Sequence, residues 1–227
     1  MRDNWRRRRP QGDAGMTLTE LLVSMIVFSI AIGMVYSAVI LTMQWSRETQ
    51  QAADAVTELR QGLAQIDRQV RSGNVLFSPE DEDAWLTTCQ DGGVGSNAGT
   101  CMRIFTQSNG DQKCVQWQIG PDPADATKRV LQTRSWETNW QTGGSVSAWN
   151  VVARDINFVM GTTPMPFTLE GASTPYKERM LRVHLEVMDE RQNLPVEIDS
   201  SLTGRNTSYG YDSGQCEPVP GATVVVP

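Results

Sequence analysis

The 227-residue sequence holds one histidine, His184, and four cysteines, Cys89, Cys101, Cys114 and Cys216. A single imidazole excludes most histidine-based metal sites and argues against histidine-dependent catalysis. No C-x-x-C pair is present, so the even cysteine count reads as two disulfides in preference to a zinc site. The dense carboxylate run Glu80-Asp81-Glu82-Asp83 lacks the D-x-D-x-D-G turn and distal Glu of a calcium loop, and is expected to be a solvated loop. Gly92-Gly93-Val94-Gly95 is not followed by Lys-Ser/Thr, so it is not read as a phosphate cradle. Neither G-x-S-x-G nor S-x-x-K occurs. His184 falls on the outward face of a strand pattern and is expected at the surface. The sequon Asn206-Thr207-Ser208 is read as accidental, and the seven tryptophans as packing residues. These features predict a protein that is not an enzyme and uses no cofactor or metal.

The most unusual residue is a carboxylate. Glu20 stands at the head of 21 residues without charge, 21–41. At ~1.5 Å per helical residue that run is long enough to cross a hydrocarbon core. A carboxylate costs roughly 2.5–3.5 kcal/mol near the centre of a membrane helix and less near the interface, so Glu20 must either serve its own helix end or find a partner. Five arginines, Arg2 and Arg6 to Arg9, precede the run and give residues 1–15 a net charge of +3, leaving −9 on the rest of the chain. Basic residues on that side predict a cytoplasmic N-terminus and an exported C-terminal body. The run is longer than a secretory signal core, and Thr42-Met43-Gln44-Trp45 offers no A-x-A-like cleavage site. An acidic body also argues against direct nucleic-acid binding, which needs Lys and Arg against phosphate.

The string Gly15-Met16-Thr17-Leu18-Thr19-Glu20-Leu21-Leu22-Val23 resembles the cleavage and methylation motif of type IV prepilins. The resemblance implies a leader, 1–15, removed by a prepilin peptidase between Gly15 and Met16. It also implies N-methylation of Met16 and a role in assembly and charge pairing for Glu20. Met16 stands where the family usually has Phe. The partners implied are the peptidase, other pilin or pseudopilin subunits met through the N-terminal helix, an assembly platform protein and the membrane itself. The tract 59–71, LRQGLAQIDRQVR, and a body of about 150 residues resemble minor pilins and pseudopilins of the J/W type.

These residues need a long helix to position them. Nothing over 18–71 stops a helix except Gly33 and Gly62, and Gly73 is expected to cap its C-terminus. Ala52, Val56, Leu59, Leu63, Ile66 and Val70 recur at intervals of three and four, an amphipathic stripe. The segments expected are therefore the leader 1–15, a transmembrane and filament-core helix 16–43, an amphipathic exported half 44–73 and a β-rich exported domain 74–227. Strands are expected at 101–106, 114–119, 129–136, 151–159, 179–188 and 196–203, with an Asn109-Gly110 hairpin and surface loops at 90–100, 141–148 and 161–175. The fold class is α+β: one long helix, transmembrane in its first half, packed on a mostly antiparallel sheet, pilin-like.

In the expected hairpin Cys101 opposes about residue 119, so Cys101 and Cys114 should not face each other. That leaves Cys89–Cys101 with Cys114–Cys216, or Cys89–Cys114 with Cys101–Cys216. The functional expectation is a minor pilin or pseudopilin that initiates or caps a type IV pilus-like filament, single-pass in the cell membrane before assembly and extracellular afterwards. A pilus or fimbrium and a type II secretion pseudopilus share these features. The alternative is a membrane-anchored exported enzyme or receptor domain on a plain signal anchor, which would need neither Gly15 nor Glu20.

Overall fold

The computed structural model describes residues 15–108, 110–171, 178–189, 194–204 and 213–220. Helix α1 (Leu18–Ser72) runs for 55 residues, about 80 Å at helical rise. Nine strands follow: β1 (Gly73–Leu76), β2 (Ala98–Gly99), β3 (Cys101–Ser108), β4 (Asp111–Pro121), β5 (Arg129–Glu137), β6 (Asn150–Ala153), β7 (Phe167–Gly171), β8 (Glu178–Asp189) and β9 (Leu194–Thr203). They form two antiparallel sheets, ordered β1-β3-β4-β5-β6 and β2-β7-β8-β9. The architecture is α+β and pilin-like, with two sheets where the sequence suggested one.

The largest of three hydrophobic clusters joins α1 to both sheets. Leu59, Ile66 and Val70 of α1 pack with Met102, Ile104, Trp117, Ile119 and Leu131 of the five-stranded sheet and with Phe167, Leu181, Val183 and Leu185 of the four-stranded one. The stripe on α1 is the cause: Leu59, Ile66 and Val70 are fully buried while Arg60, Gln61, Ala64 and Gln65 stay exposed. Alternation does the same in β8, where Leu181, Val183, Leu185 and Val187 all point inward. The Trp117 indole N–H donates to Gln69 Oε1 at 2.5 Å, tying the middle of β4 to α1. Gly62 is more than a weak helix breaker. A Cβ there would sit 2.9 Å from Leu131 Cδ2 and 3.3 Å from Val152 Cγ1, so its absence lets α1 approach β5 and β6.

Several expectations are corrected. Gly73 does not cap α1 in a left-handed conformation; it opens β1, where a Cβ would lie 3.0 Å from Ile104 Cγ2 and 3.1 Å from the Gln69 and Val70 carbonyls. The strand expected over 151–159 ends at Ala153. Asp155 takes a positive φ of 55°, and the chain then crosses over so that Ile156 bridges Val187 of the other sheet. Hydropathy alone does not reveal such a break, because Val151, Val152, Ile156 and Phe158 are apolar on both sides of it. Two expected surface loops contain strands, β2 within 90–100 and β7 within 161–175. Glycines and prolines mask both, and residues 172–177 lie outside the described ones. The sequon 206–208, residues 1–14 of the leader and the side chain of Ala52 also lie outside them.

Ser108 pairs with Asp111 across a two-residue turn, with Gly110 at φ 86°, as Asn-Gly demands. Cys101 faces Gln118 across the hairpin, not Cys114. The disulfides are Cys89–Cys101 and Cys114–Cys216, with Cα separations of 5.5 and 5.7 Å. The first pins the loop before β3. The second fastens the C-terminal segment across the sheet.

Candidate functional site: the head of the apolar helix

Thr17 and Glu20 stand in the S/T-x-x-E spacing of a helix start, and the backbone around them shows which residue caps it. The Glu20 N–H donates to Thr17 Oγ1 at 3.3 Å and to the Thr17 carbonyl at 3.1 Å; the Leu21 N–H also reaches that carbonyl, at 3.2 Å. Thr17 is therefore the cap. Among the described residues the Glu20 carboxylate has no hydrogen-bond or ion-pair partner, and it is exposed in the first turn. Gly15 and Met16 precede the helix as exposed chain outside any helix or strand, and a Cβ at Gly15 would meet nothing within 4 Å. A processing enzyme acting at this bond would find it free of secondary structure.

Behind this head every residue from Gly15 through Arg47 is exposed in the single chain, although most are large and apolar. The window of highest hydropathy in Leu18–Arg47 has a mean hydropathy of 2.3. The serines and the threonine within the run satisfy themselves. Ser24, Ser29, Ser37 and Thr42 each donate to the carbonyl four residues back, at 2.7 to 2.9 Å. Hydrocarbon accepts hydroxyls bonded in this way, since each donates within its own helix.

The body's ionisable groups are arranged to hold structure. The acidic run is solvated only in part: Asp81 and Asp83 are exposed, but Pro79–Glu82 forms a 3-10 turn and Glu82 is fully buried. Its Oε1 lies 3.0 Å from Arg103 Nε in a poorly aligned ion pair, and its Oε2 accepts from Gln116 Nε2 at 2.7 Å. Gln116 Oε1 accepts from Arg134 Nε at 2.9 Å. Both guanidiniums continue to the C-terminal segment, Arg103 Nη1 to the Cys216 carbonyl at 2.5 Å and Arg134 Nη2 to the Val219 carbonyl at 2.6 Å. Burial pushes the Glu82 carboxyl up, against the pull of Arg103, and lowers Arg134 to about 10. Glu80 occupies the glycine loop: its carboxylate accepts the Gly95 and Asn97 N–H groups at 2.6 and 3.0 Å, which hold its pKa below the ordinary value.

His184 is a correction to the sequence reading. It is buried, not superficial, with Nε2 at 2.8 Å from Glu186 Oε1 and Nδ1 at 3.1 Å from Asp199 Oδ1. Desolvation disfavours its charged form, but the hydrogen bonds to Glu186 and Asp199 outweigh this and raise its pKa above 6.5. The seven tryptophans divide. Trp117 and Trp136 are core residues, whereas Trp45 and Trp85 are half exposed and Trp5 lies outside the described residues. The Glu82–Arg103–Gln116–Arg134 cluster was missed at the level of sequence. Its only signal is polar residues alternating with apolar ones in β3, β4 and β5, and that pattern normally marks a solvated face.

A family model described as Prokaryotic N-terminal methylation motif matches residues 11–36. Comparison with curated proteins and with solved structures gave no match. The matched segment spans Gly15, Met16, Thr17 and Glu20 and much of the apolar run. The chain thus carries the N-terminal motif of a type IV prepilin-like protein, and the apolar helix behind that motif fits a single-pass membrane anchor.

Proposed function

We propose that this protein is a minor pilin or pseudopilin, a structural subunit and not an enzyme, that helps initiate or cap a type IV pilus-like filament. The observation that carries the reading is the Glu20 carboxylate, without a partner among the described residues, at the head of the exposed apolar first half of α1, inside a methylation motif. Thr17 already caps the helix, so Glu20 is available to another group. A prepilin peptidase removes residues 1–15 on the cytoplasmic side, and Met16 becomes the methylated N-terminus. The new amine lies four residues from Glu20. Two neighbouring helices staggered by one subunit then pair the amine of one with the carboxylate of the other. In a low-dielectric setting that pairing is far stronger than in water and relieves the cost of each charge alone. Residues 16–43 form the membrane and filament-core segment, 44–73 the amphipathic link and 74–227 the exported domain. The platform protein and the other subunits engage the N-terminal helix.

The test is the mass of the chain extracted from membranes that contain the peptidase. Cleavage after Gly15 with one added methyl on Met16 is expected. A chain that keeps Met1 in the presence of active peptidase sinks the reading.

A further inference from the structure

His184 sits on the face of β8 away from the core, with Glu186 two residues along the same strand and Asp199 opposite it on β9. Its Nε2 lies 2.8 Å from Glu186 Oε1 and its Nδ1 3.1 Å from Asp199 Oδ1. Both ring nitrogens therefore meet carboxylate oxygens, which only accept, and a neutral imidazole has one N–H to give. The imidazolium satisfies both carboxylates; the neutral ring must abandon one.

The surroundings decide which. Glu186 is buried, whereas the Asp199 side chain is half exposed and has Arg182 Nε at 3.6 Å. An unpaired oxygen costs more in the interior than where water reaches it. The neutral ring thus keeps Nε2–H on Glu186 and turns a lone pair toward Asp199. The bond it keeps runs along β8, and the bond it gives up crosses to β9. Among the described residues the other charged groups on this face are Arg182 of β8 and Glu197 of β9, which stands opposite Glu186. From β7 come Thr168, opposite Arg182, and Glu170 two residues further on, while the crossing segment supplies the neutral Asn157, bonded to Glu186 Oε2 at 3.1 Å. Loss of the ring charge leaves Arg182 against Glu186, Glu197 and Asp199, and like charges opposed across strands are destabilising.

β9 is the outer strand of its sheet, and among the described residues it pairs with β8 alone. On its inward side Leu202 is buried in the core, but Ile198 only partly, and Val196 is 36% exposed. The first half of the strand is the weakly anchored one. The His184 N–H donates to the Pro166 carbonyl and the Glu186 carbonyl accepts from the Asn157 N–H, both at 2.9 Å, so these residues turn their backbone groups away from β9. Leu185 and Val187 consequently turn theirs toward Ile198 and Val196.

We infer that the first half of β9 is a pH-operated edge strand, closed on β8 while His184 is charged and opening when the ring loses its proton. Opening bares the backbone groups and apolar side chains of Leu185 and Val187, an edge able to pair with an extended chain. Against desolvation, the two hydrogen bonds hold the ring's pKa above 6.5, so the strand is closed below that value and opens as pH rises through the folded pKa. The inference concerns the body alone and does not depend on the reading of the N-terminus.

Because the chain has one histidine, its titration is unambiguous. On the full-length protein in detergent, without added histidines, NMR follows the ring proton of His184 against pH. The same samples give the amide exchange of Val196 and Ile198, each rate divided by the intrinsic rate at that pH. Protection at these two amides should fall about three- to tenfold, with the midpoint of the ring titration, and they should exchange ahead of residues 115–119 of β4. His184→Gln should show the low protection at every pH, with no step. Asp199→Asn should lower the ring's pKa and carry the step with it. The inference is overturned if native protection stays flat through the ring titration or if the step survives His184→Gln. It is equally overturned if Val196 and Ile198 are as protected as β4, or if the step in Asp199→Asn does not follow the ring.

Discussion

The two halves of α1 differ in where their apolar surface goes. Residues 18–47 are apolar on all sides and exposed throughout the single chain, whereas over 55–70 a narrow stripe is buried against two sheets. The second half is completed by its own body. The first buries none of its apolar surface within the chain, as fits a single-pass membrane anchor. One helix therefore carries two separate instructions, and substitutions in the two halves should read out in different assays.

The body's self-sufficiency is most sharply tested at its ties. The Cys114–Cys216 bond closes a span of 102 residues and Cys89–Cys101 one of 12. Loop-closure entropy assigns about 4.7 kcal/mol to the longer span and about 2.8 kcal/mol to the shorter. Cys216→Ser with Cys114→Ser should therefore lower the unfolding free energy of the body more than the equivalent change at Cys89 and Cys101. Urea titration followed by tryptophan fluorescence gives the order, and equal losses would show that the C-terminal segment is held mainly by Arg103 and Arg134.

A matched pair of truncations comes next. Leu59→Ala removes a fully buried side chain and should cost about 2–5 kcal/mol of body stability. Leu22→Ala, on a side chain 54% exposed, should cost the body nothing in the same titration. A comparable loss for both would break the comparison between the halves.

The smallest effect is on pH dependence. His184 has a folded pKa raised above 6.5, so it binds its proton more tightly folded than unfolded. Its contribution is fully present below the unfolded value of about 6.5 and is lost as pH rises through the folded value. Body stability should fall over that window, and His184→Gln should flatten the slope. A native slope that survives the substitution assigns the pH dependence to other groups.

How much could be read in advance follows the same division. The apolar run, the Gly15–Glu20 string and the stripe through Leu59, Ile66 and Val70 are local patterns, and local patterns survive in a sequence. The end of α1 was legible to within one residue, and so were β5 and β8, strands built on plain alternation; β3 runs two residues further than expected. The buried polar layer was not. Arg103, Gln116, Gln118, Gln132 and Arg134 alternate like a solvated face, and the return of Cys216 and Val219 across them, with Glu82 and Thr88 from the segment before β3, makes that face an interior. The same holds for Glu82, which reads as one of four surface acids until Arg103 is placed beside it. β7 was hidden because Phe167, Thr168 and Leu169 are flanked by proline- and glycine-rich chain, and pairing with β8 outweighs that local signal.

The central claim is that the Glu20 charge serves assembly and not its own helix. Glu20→Gln keeps an oxygen acceptor and the helical context but removes the charge. In a strain lacking the native copy, the amount of this subunit in sheared filaments, relative to the membrane pool, measures the claim directly. The account predicts normal cleavage after Gly15, a normal membrane pool and a strongly reduced filament fraction. A Gln variant that enters filaments at the native level would contradict it.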